Sequence, residues 1–216
     1  MISALLFDLD GTLCNTDPTH FKTWVELLRD YGMEIDEAFY QSRITGRLNE
    51  AIIQDLLPQL SPLEGKQLAD EKEARFRKLA LKLERLAGVS KILAWSEERE
   101  LLRSLVTNAP PKNVEFMLQV LELTEMFESV ILAENLPVGK PDPLPYRMAL
   151  EKLGISASQA VAFEDSPSGI RSAVGAGIYT IGIASTQSPQ HLKDLGASMA
   201  VSDFTDPELW KLLETI

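Results

Sequence analysis

Ile2-Ser3-Ala4-Leu5-Leu6-Phe7-Asp8-Leu9-Asp10-Gly11-Thr12 is the stretch that decides the architecture of this chain. Residues 2–7 form a short, nearly continuous apolar run, the pattern of a strand buried on both faces of a parallel sheet. The run stops at Asp8, so its C-terminal end carries carboxylates. Asp8 and Asp10 stand two apart in extended chain, which points both side chains the same way. Gly11 allows the sharp turn that such an exposed pair requires. Two carboxylates this close resist joint ionisation unless a shared proton or a divalent cation relieves them. Magnesium, a hard ion that takes oxygen ligands and keeps several waters, suits the setting.

Outward from that segment the pattern repeats. Residues 101–106 end at Thr107-Asn108, residues 129–132 end near Glu134, and residues 160–163 end at Glu164-Asp165, each an apolar strand with polar residues at its end. Residues 177–183 add a further strand, and helical patterns over 113–123, 144–153 and 167–174 separate the strands. Alternating β and α elements predict an α/β fold whose core is a doubly wound, Rossmann-like parallel sheet. Ligands of such sheets bind at the carboxyl ends of the strands, so all four polar clusters are expected to converge on one crevice.

Residues 16–86 break the alternation. Phe21, Trp24, Val25 and Leu28 follow helical spacing, as do Ala51, Ile52 and Leu56, and then Leu68, Phe76, Leu79 and Leu83, with no convincing strand among them. The reading is an all-helical cap domain over 16–86, inserted into a core made of 1–15 and 87–216.

Composition narrows the partners. The 216 residues, 45% hydrophobic and 25% charged, suit one large domain or a core with a smaller insertion. A formal charge of −11 argues against a nucleic-acid partner, because phosphate backbones are held by clustered Lys and Arg. A small anionic metabolite remains allowed, since its site needs only a few local cations. Cys14 is the single cysteine, the start of the chain lacks a signal-peptide pattern, and no apolar run approaches the roughly 20 residues that cross a bilayer. A cytoplasmic protein without membrane partners, a monomer or weak homodimer, is expected. Only His20 and His191 are present, which excludes a histidine-rich metal site.

Asp8-Leu9-Asp10-Gly11-Thr12-Leu13 resembles the first motif of the haloacid dehalogenase superfamily. Thr107-Asn108 resembles the second, Lys140-Pro141-Asp142-Pro143 the lysine motif, and Glu164-Asp165-Ser166-Pro167-Ser168-Gly169 the acidic fourth. The likeness spans the whole core, and the helical insertion resembles the cap of the branch that contains β-phosphoglucomutase and phosphoglycolate phosphatase. It implies that Asp8 is a nucleophile forming an aspartyl-phosphate. Asp10 is then general acid and afterwards base, with its backbone carbonyl on magnesium. Thr107 and Asn108 would bond phosphate oxygens, Lys140 would neutralise charge beside Asp8, and Asp165 with Glu164 would complete the metal site.

Each motif also has a plainer reading. Thr107-Asn108 before Pro110-Pro111 can begin a turn, Lys140 can be a solvated loop lysine, and Ser166-Pro167 is a helix start with Ser166 as N-cap. Cys14 reads as a small core residue and His191 as surface. In the insertion, His20 occupies the position at which β-phosphoglucomutase places a histidine near its acid/base aspartate, against a capping or packing role. Lys72 lies on an apolar stripe, where it either snorkels or faces an anionic substrate. Gly46-Arg47 falls between two helices and resembles the cap loop of this branch, with Arg47 reaching substrate or solvated.

The implied activity is magnesium-dependent hydrolysis of a small phosphomonoester, of sugar-phosphate or phosphoglycolate type. The rival within enzymes is a phosphosugar mutase. A non-catalytic phosphate-binding protein would be expected to have lost Asp8, Asp10, Lys140 or the acidic pair, and a dehalogenase would not need the second acid. Leu86-Ala87-Gly88-Val89 departs from the family by lacking the Pro-Gly that commonly begins this segment.

Overall fold

The computed structural model describes residues 2–45 and 47–215. Along the chain, β1 (Ala4–Phe7) is followed by four helices, α1 (Asp17–Arg29), α2 (Glu37–Arg43), α3 (Asn49–Leu56) and α4 (Pro62–Leu79). Then come α5 (Val89–Glu98), β2 (Leu102–Thr107), α6 (Pro111–Val120), β3 (Ser129–Leu132), α7 (Leu144–Leu153) and β4 (Ala160–Glu164). The chain closes with α8 (Pro167–Gly175), β5 (Tyr179–Ile183), α9 (Pro189–Asp194), β6 (Met199–Val201) and α10 (Pro207–Leu213). Two compact units result: Met1–Asn15 with Leu83–Ile216, and Thr16–Lys82.

The larger unit is a six-stranded parallel sheet in the order β3-β2-β1-β4-β5-β6. All four residues of β1 are buried, as an apolar run without alternation demands of a central strand covered on both faces. On one face Ala4, Leu6, Val106, Ile131, Ala160 and Ala162 pack with Tyr146, Ala149 and Leu150 of α7. Among the aromatic contacts, Phe7 stacks on Phe163 at 5.1 Å, and Phe204 packs against both rings. α8 starts as its sequence requires, with Ser166 Oγ accepting from Gly169 N at 3.0 Å and Pro167 at the first helical position. β6 and the helices α5, α9 and α10 were not expected. β6 has three residues and α9 six, too short for a period to register.

The helical unit has its own core of Trp24, Leu27, Leu28, Tyr40, Ile44, Ile52, Ile53, Leu57 and Leu68. Here the apolar stripe of α3 is corrected: Ala51 is exposed, and Ile52 and Ile53 point inward with Leu57 beyond the helix. α4 begins on a capping box in which Ser61 and Glu64 satisfy each other's backbone N–H. It ends at Leu79, so Leu83 is not on its stripe. The division at 82/83 falls four residues before the expected 86/87. The reason lies in backbone pairing: Leu86 N donates to Leu13 O at 2.8 Å, and Arg85 bridges to Cys14, which ties this segment to the larger unit. Among the described residues no helix is long and apolar enough to cross a membrane.

Candidate active site

β1 is the strand from which the sheet order runs both ways, with β2 and β3 on one side and β4 to β6 on the other. Such a reversal opens a crevice at the strand C-termini. Phe7 is level with Leu105 and Phe163, so the residues that follow, Asp8, Val106 and Glu164, come abreast. Asp8 N still donates to Phe163 O at 3.1 Å, which fixes the start of the turn. Gly11 has φ +82°, and a Cβ there would collide with the Asp165 carboxylate. The turn therefore demands glycine twice, for its backbone and for its neighbour.

Lys140 is the hub. Its Nζ lies 2.7 Å from Asp8 Oδ1, 2.5 Å from Glu164 Oε1 and 2.7 Å from Val106 O, so the three ammonium hydrogens meet three acceptors. The residue is 8% exposed, which removes the solvated-loop reading. Asn108 holds its peptide from both sides: Lys140 N donates to Asn108 Oδ1 at 3.0 Å, and Asn108 Nδ2 donates to Lys140 O at 3.1 Å. Thr107 Oγ1 accepts from Ala109 N at 2.9 Å, which leaves its hydroxyl proton to donate elsewhere. The turn reading of Thr107-Asn108 is thus seen directly, with Asn108 fixed against the Lys140 peptide.

Two acids each commit one oxygen and leave the other bare. Glu164 Oε1 accepts from Lys140 and from the Tyr146 hydroxyl at 2.7 Å, while Oε2 is buried without a hydrogen-bond partner. Asp165 Oδ2 accepts from Thr186 Oγ1 at 2.7 Å, while Oδ1 is likewise buried and unpaired. Oxygens of Asp8, Glu164 and Asp165 lie within 4.8 Å of one another. Two bare carboxylates at that separation repel by about 3 kcal/mol at an effective dielectric constant of about 20. Three acids face one ammonium, and when all three are ionised the excess of two negative charges is what a divalent cation would balance. The hard oxygen donors and the two orphaned oxygens fit such an ion, magnesium included. Asp10, partly exposed in the turn, contributes no side chain to this triad.

The titration of these groups follows from their burial. Burial pushes the Asp8 carboxyl up to about 7, with Lys140 opposing and Glu164 adding to the rise. Burial also drives Asp165 well above the usual carboxylate range, reinforced by Asp8 and Glu164. For Lys140 burial works against the charge, but Asp8 and Glu164 outweigh it and hold the ammonium protonated. Burial raises the Cys14 thiol as well, helped by Asp10 and Asp8, so this core residue stays a neutral thiol.

Of the expected site residues, Asp8, Lys140, Glu164 and Asp165 come together with Asn108 and Thr107 at their edge. One expectation is corrected: Glu134 is exposed after β3, and that side of the sheet contributes Lys140, eight residues past the strand end at Leu132. In the helical unit, Lys72 does not snorkel. It is 3% exposed, with Nζ 2.8 Å from Glu73 Oε1 and 2.8 Å from His20 Nδ1, among the rings of Trp24 and Phe76. An ammonium only donates, so Nδ1 accepts and the ring N–H sits on Nε2. Asn49 donates to the same Glu73 oxygen at 2.5 Å. Arg47 binds Asp55 at 2.9 Å and the carbonyls of Arg43 and Ala51, while Gly46 lies outside the described residues.

Three residues, Ser185, Thr186 and Tyr146, escaped the sequence reading, and Gly169 stood in the acidic motif without a stated role. Ser185 donates to Gly11 O and Thr186 holds Asp165, a polar pair just after β5 that the strand-end pattern could have flagged. Gly169 has a visible reason only in space, since a Cβ there would collide with the Glu164 carboxylate. Tyr146 sat unremarked on the apolar face of a helix.

A parallel sheet with buried acids and a lysine at its switch point defines a class of α/β enzymes built around a carboxylate. The haloacid dehalogenase-like hydrolase family model matches residues 5–183, and the chain belongs to that family. It is 31% identical to a phosphorylated carbohydrates phosphatase of Thermotoga maritima, over 83% of this chain and 84% of that protein. It is 25% identical to a β-phosphoglucomutase of Bacillus subtilis, over 99% and 95%. A hydrolase of family IA, variant 3, from Entamoeba histolytica shares the fold with a TM-score of 0.90 at 30% identity, over 99% and 98% of the two chains.

Proposed function

We propose that this haloacid dehalogenase-like phosphatase hydrolyses a small phosphorylated carbohydrate through an aspartyl-phosphate on Asp8, with magnesium as cofactor. The supporting observation is the buried set in which Lys140 bridges Asp8 and Glu164 while Glu164 Oε2 and Asp165 Oδ1 stay unpaired. The free Asp8 oxygen attacks phosphorus, the bond to the sugar oxygen breaks, and Asp10 gives that oxygen its proton. Water then attacks the phosphoryl group while Asp10 takes its proton, releasing phosphate and restoring the Asp8 carboxylate. Lys140, Thr107 and Asn108 meet the charge on the phosphoryl oxygens. Asp8, Glu164, Asp165 and the Asp10 carbonyl would hold magnesium, which when bound lowers the repulsion between an anionic nucleophile and an anionic phosphate.

Substrate selection we assign to the helical segment, as a cap. Among its candidates, Lys72 is matched by Glu73 and Arg47 by Asp55, so the hydrolytic reading does not depend on either as a free cation. The likeness to a β-phosphoglucomutase supports a second reading, in which a sugar hydroxyl replaces water in the second step. A phosphate-release screen over sugar phosphates, phosphoglycolate and nucleotides, with and without magnesium, separates them when β-glucose 1-phosphate isomerisation runs in parallel. Release supports the phosphatase, and isomerisation without release supports the mutase. Activity that survives Asp8→Asn in either assay would sink the mechanism.

A further inference from the structure

Tyr146 has no role in the chemistry above, yet its hydroxyl reaches the site. The residue is fully buried in the first turn of α7, and its O–H donates to Glu164 Oε1 at 2.7 Å. Lys140 donates to the same oxygen at 2.5 Å, and its Nζ stands 5.3 Å from the Tyr146 ring centroid. A carboxylate oxygen only accepts, so the phenol is the donor of this bond.

Packing alone would be served by phenylalanine. A buried hydroxyl without a partner is costly, so a tyrosine here makes sense through its bond. Ala149 and Leu150 seat α7 on Val106 and Ile131, which puts that hydroxyl on a rigid element. With Oε1 gripped from two sides, the Glu164 carboxylate cannot turn without losing both bonds. Its other oxygen, Oε2, is then fixed, buried and unpaired.

We propose that Tyr146 is a positioning residue: by holding Glu164 Oε1 it aims Oε2 at the divalent cation and keeps Lys140 shared between Glu164 and Asp8. This deepens the magnesium-dependent reading and rests on it. Outer partners that orient ligating carboxylates commonly alter metal affinity by about 10- to 100-fold when removed.

The test is Tyr146→Phe in the full chain, which removes one oxygen and keeps the ring. Magnesium binding to the metal-free protein is measured by calorimetry, beside phosphate release. The expected result is a magnesium Kd raised about tenfold, with activity restored at saturating magnesium and a metal-free melting temperature within about 4 °C of the parent. In a Glu164→Gln background the same change should add less than about twofold, because Tyr146 acts through that carboxylate. An unchanged Kd in Tyr146→Phe, activity that saturating magnesium fails to restore, or full additivity with Glu164→Gln overturns the inference while leaving the phosphatase reading intact. A parent chain that neither binds magnesium nor needs it to release phosphate overturns both.

Discussion

Removing the Lys140 ammonium would leave Asp8 and Glu164 facing each other in a site that water barely reaches. Lys140→Met is therefore expected to lower stability by about 3 kcal/mol or more in metal-free buffer, besides abolishing phosphate release. Urea unfolding at neutral pH reads the first effect, and a loss below about 1 kcal/mol would contradict the pairing of Lys140 with Asp8 and Glu164. Glu73 offers a pH-dependent counterpart. Burial is the largest influence on it and pushes upward, but Lys72, His20 and the bonds from Lys72 and Asn49 bring it below its ordinary 4.5. A depressed folded-state pKa means stability present above 4.5 and lost as pH falls through the folded value. The stability difference between the parent chain and Glu73→Gln should then be largest near neutrality and shrink on acidification below 4.5. Equal differences at pH values well above and well below that point would remove Glu73's ionisation as the source.

Among the elements, α8 carries a test in which two effects have opposite signs. Gly169 lies in its first turn, where intrinsic propensity favours alanine by about 1 kcal/mol. The Glu164 carboxylate occupies the space of the added methyl. Gly169→Ala is expected to destabilise the protein and weaken magnesium binding, and a raised melting temperature with unchanged magnesium affinity would show that the carboxylate can move aside. The sheet was largely legible because burial on both faces leaves continuous apolar runs, and because each run stops where polar residues begin. The short β6 and α9 were not, since neither spans enough residues for a period. The stripe of α3 was misread at Ala51, because a small apolar residue beside Ile52 and Ile53 fits either side of the helix until its neighbours are known.

For the molecule as a whole, the uncompensated charge of the site predicts a response to divalent cations. Magnesium at about 100 times its Kd should stabilise the full chain by about 2.7 kcal/mol, and chelation should reverse the gain. Asp165→Asn is expected to abolish most of this shift, because it removes one of three clustered carboxylates. An equal shift in that variant would place the cation elsewhere. Sequence by itself determined the parallel sheet, the helical insertion and the apolar strands that end at Asp8 and at Glu164-Asp165, because hydrophobic period and strand ends are local properties of a chain. Lys140, far from any strand end, is picked out only by the family resemblance. Only the tertiary structure decided which oxygen of each acid is occupied, that Asn108 clamps the Lys140 peptide, that Lys72 is neutralised by Glu73, and that Tyr146, Thr186 and Gly169 belong with the acids. Apart from the adjacent Lys72 and Glu73, those facts join residues from 5 to 132 positions apart, or turn on the direction of a single atom, and no periodicity along the chain encodes either.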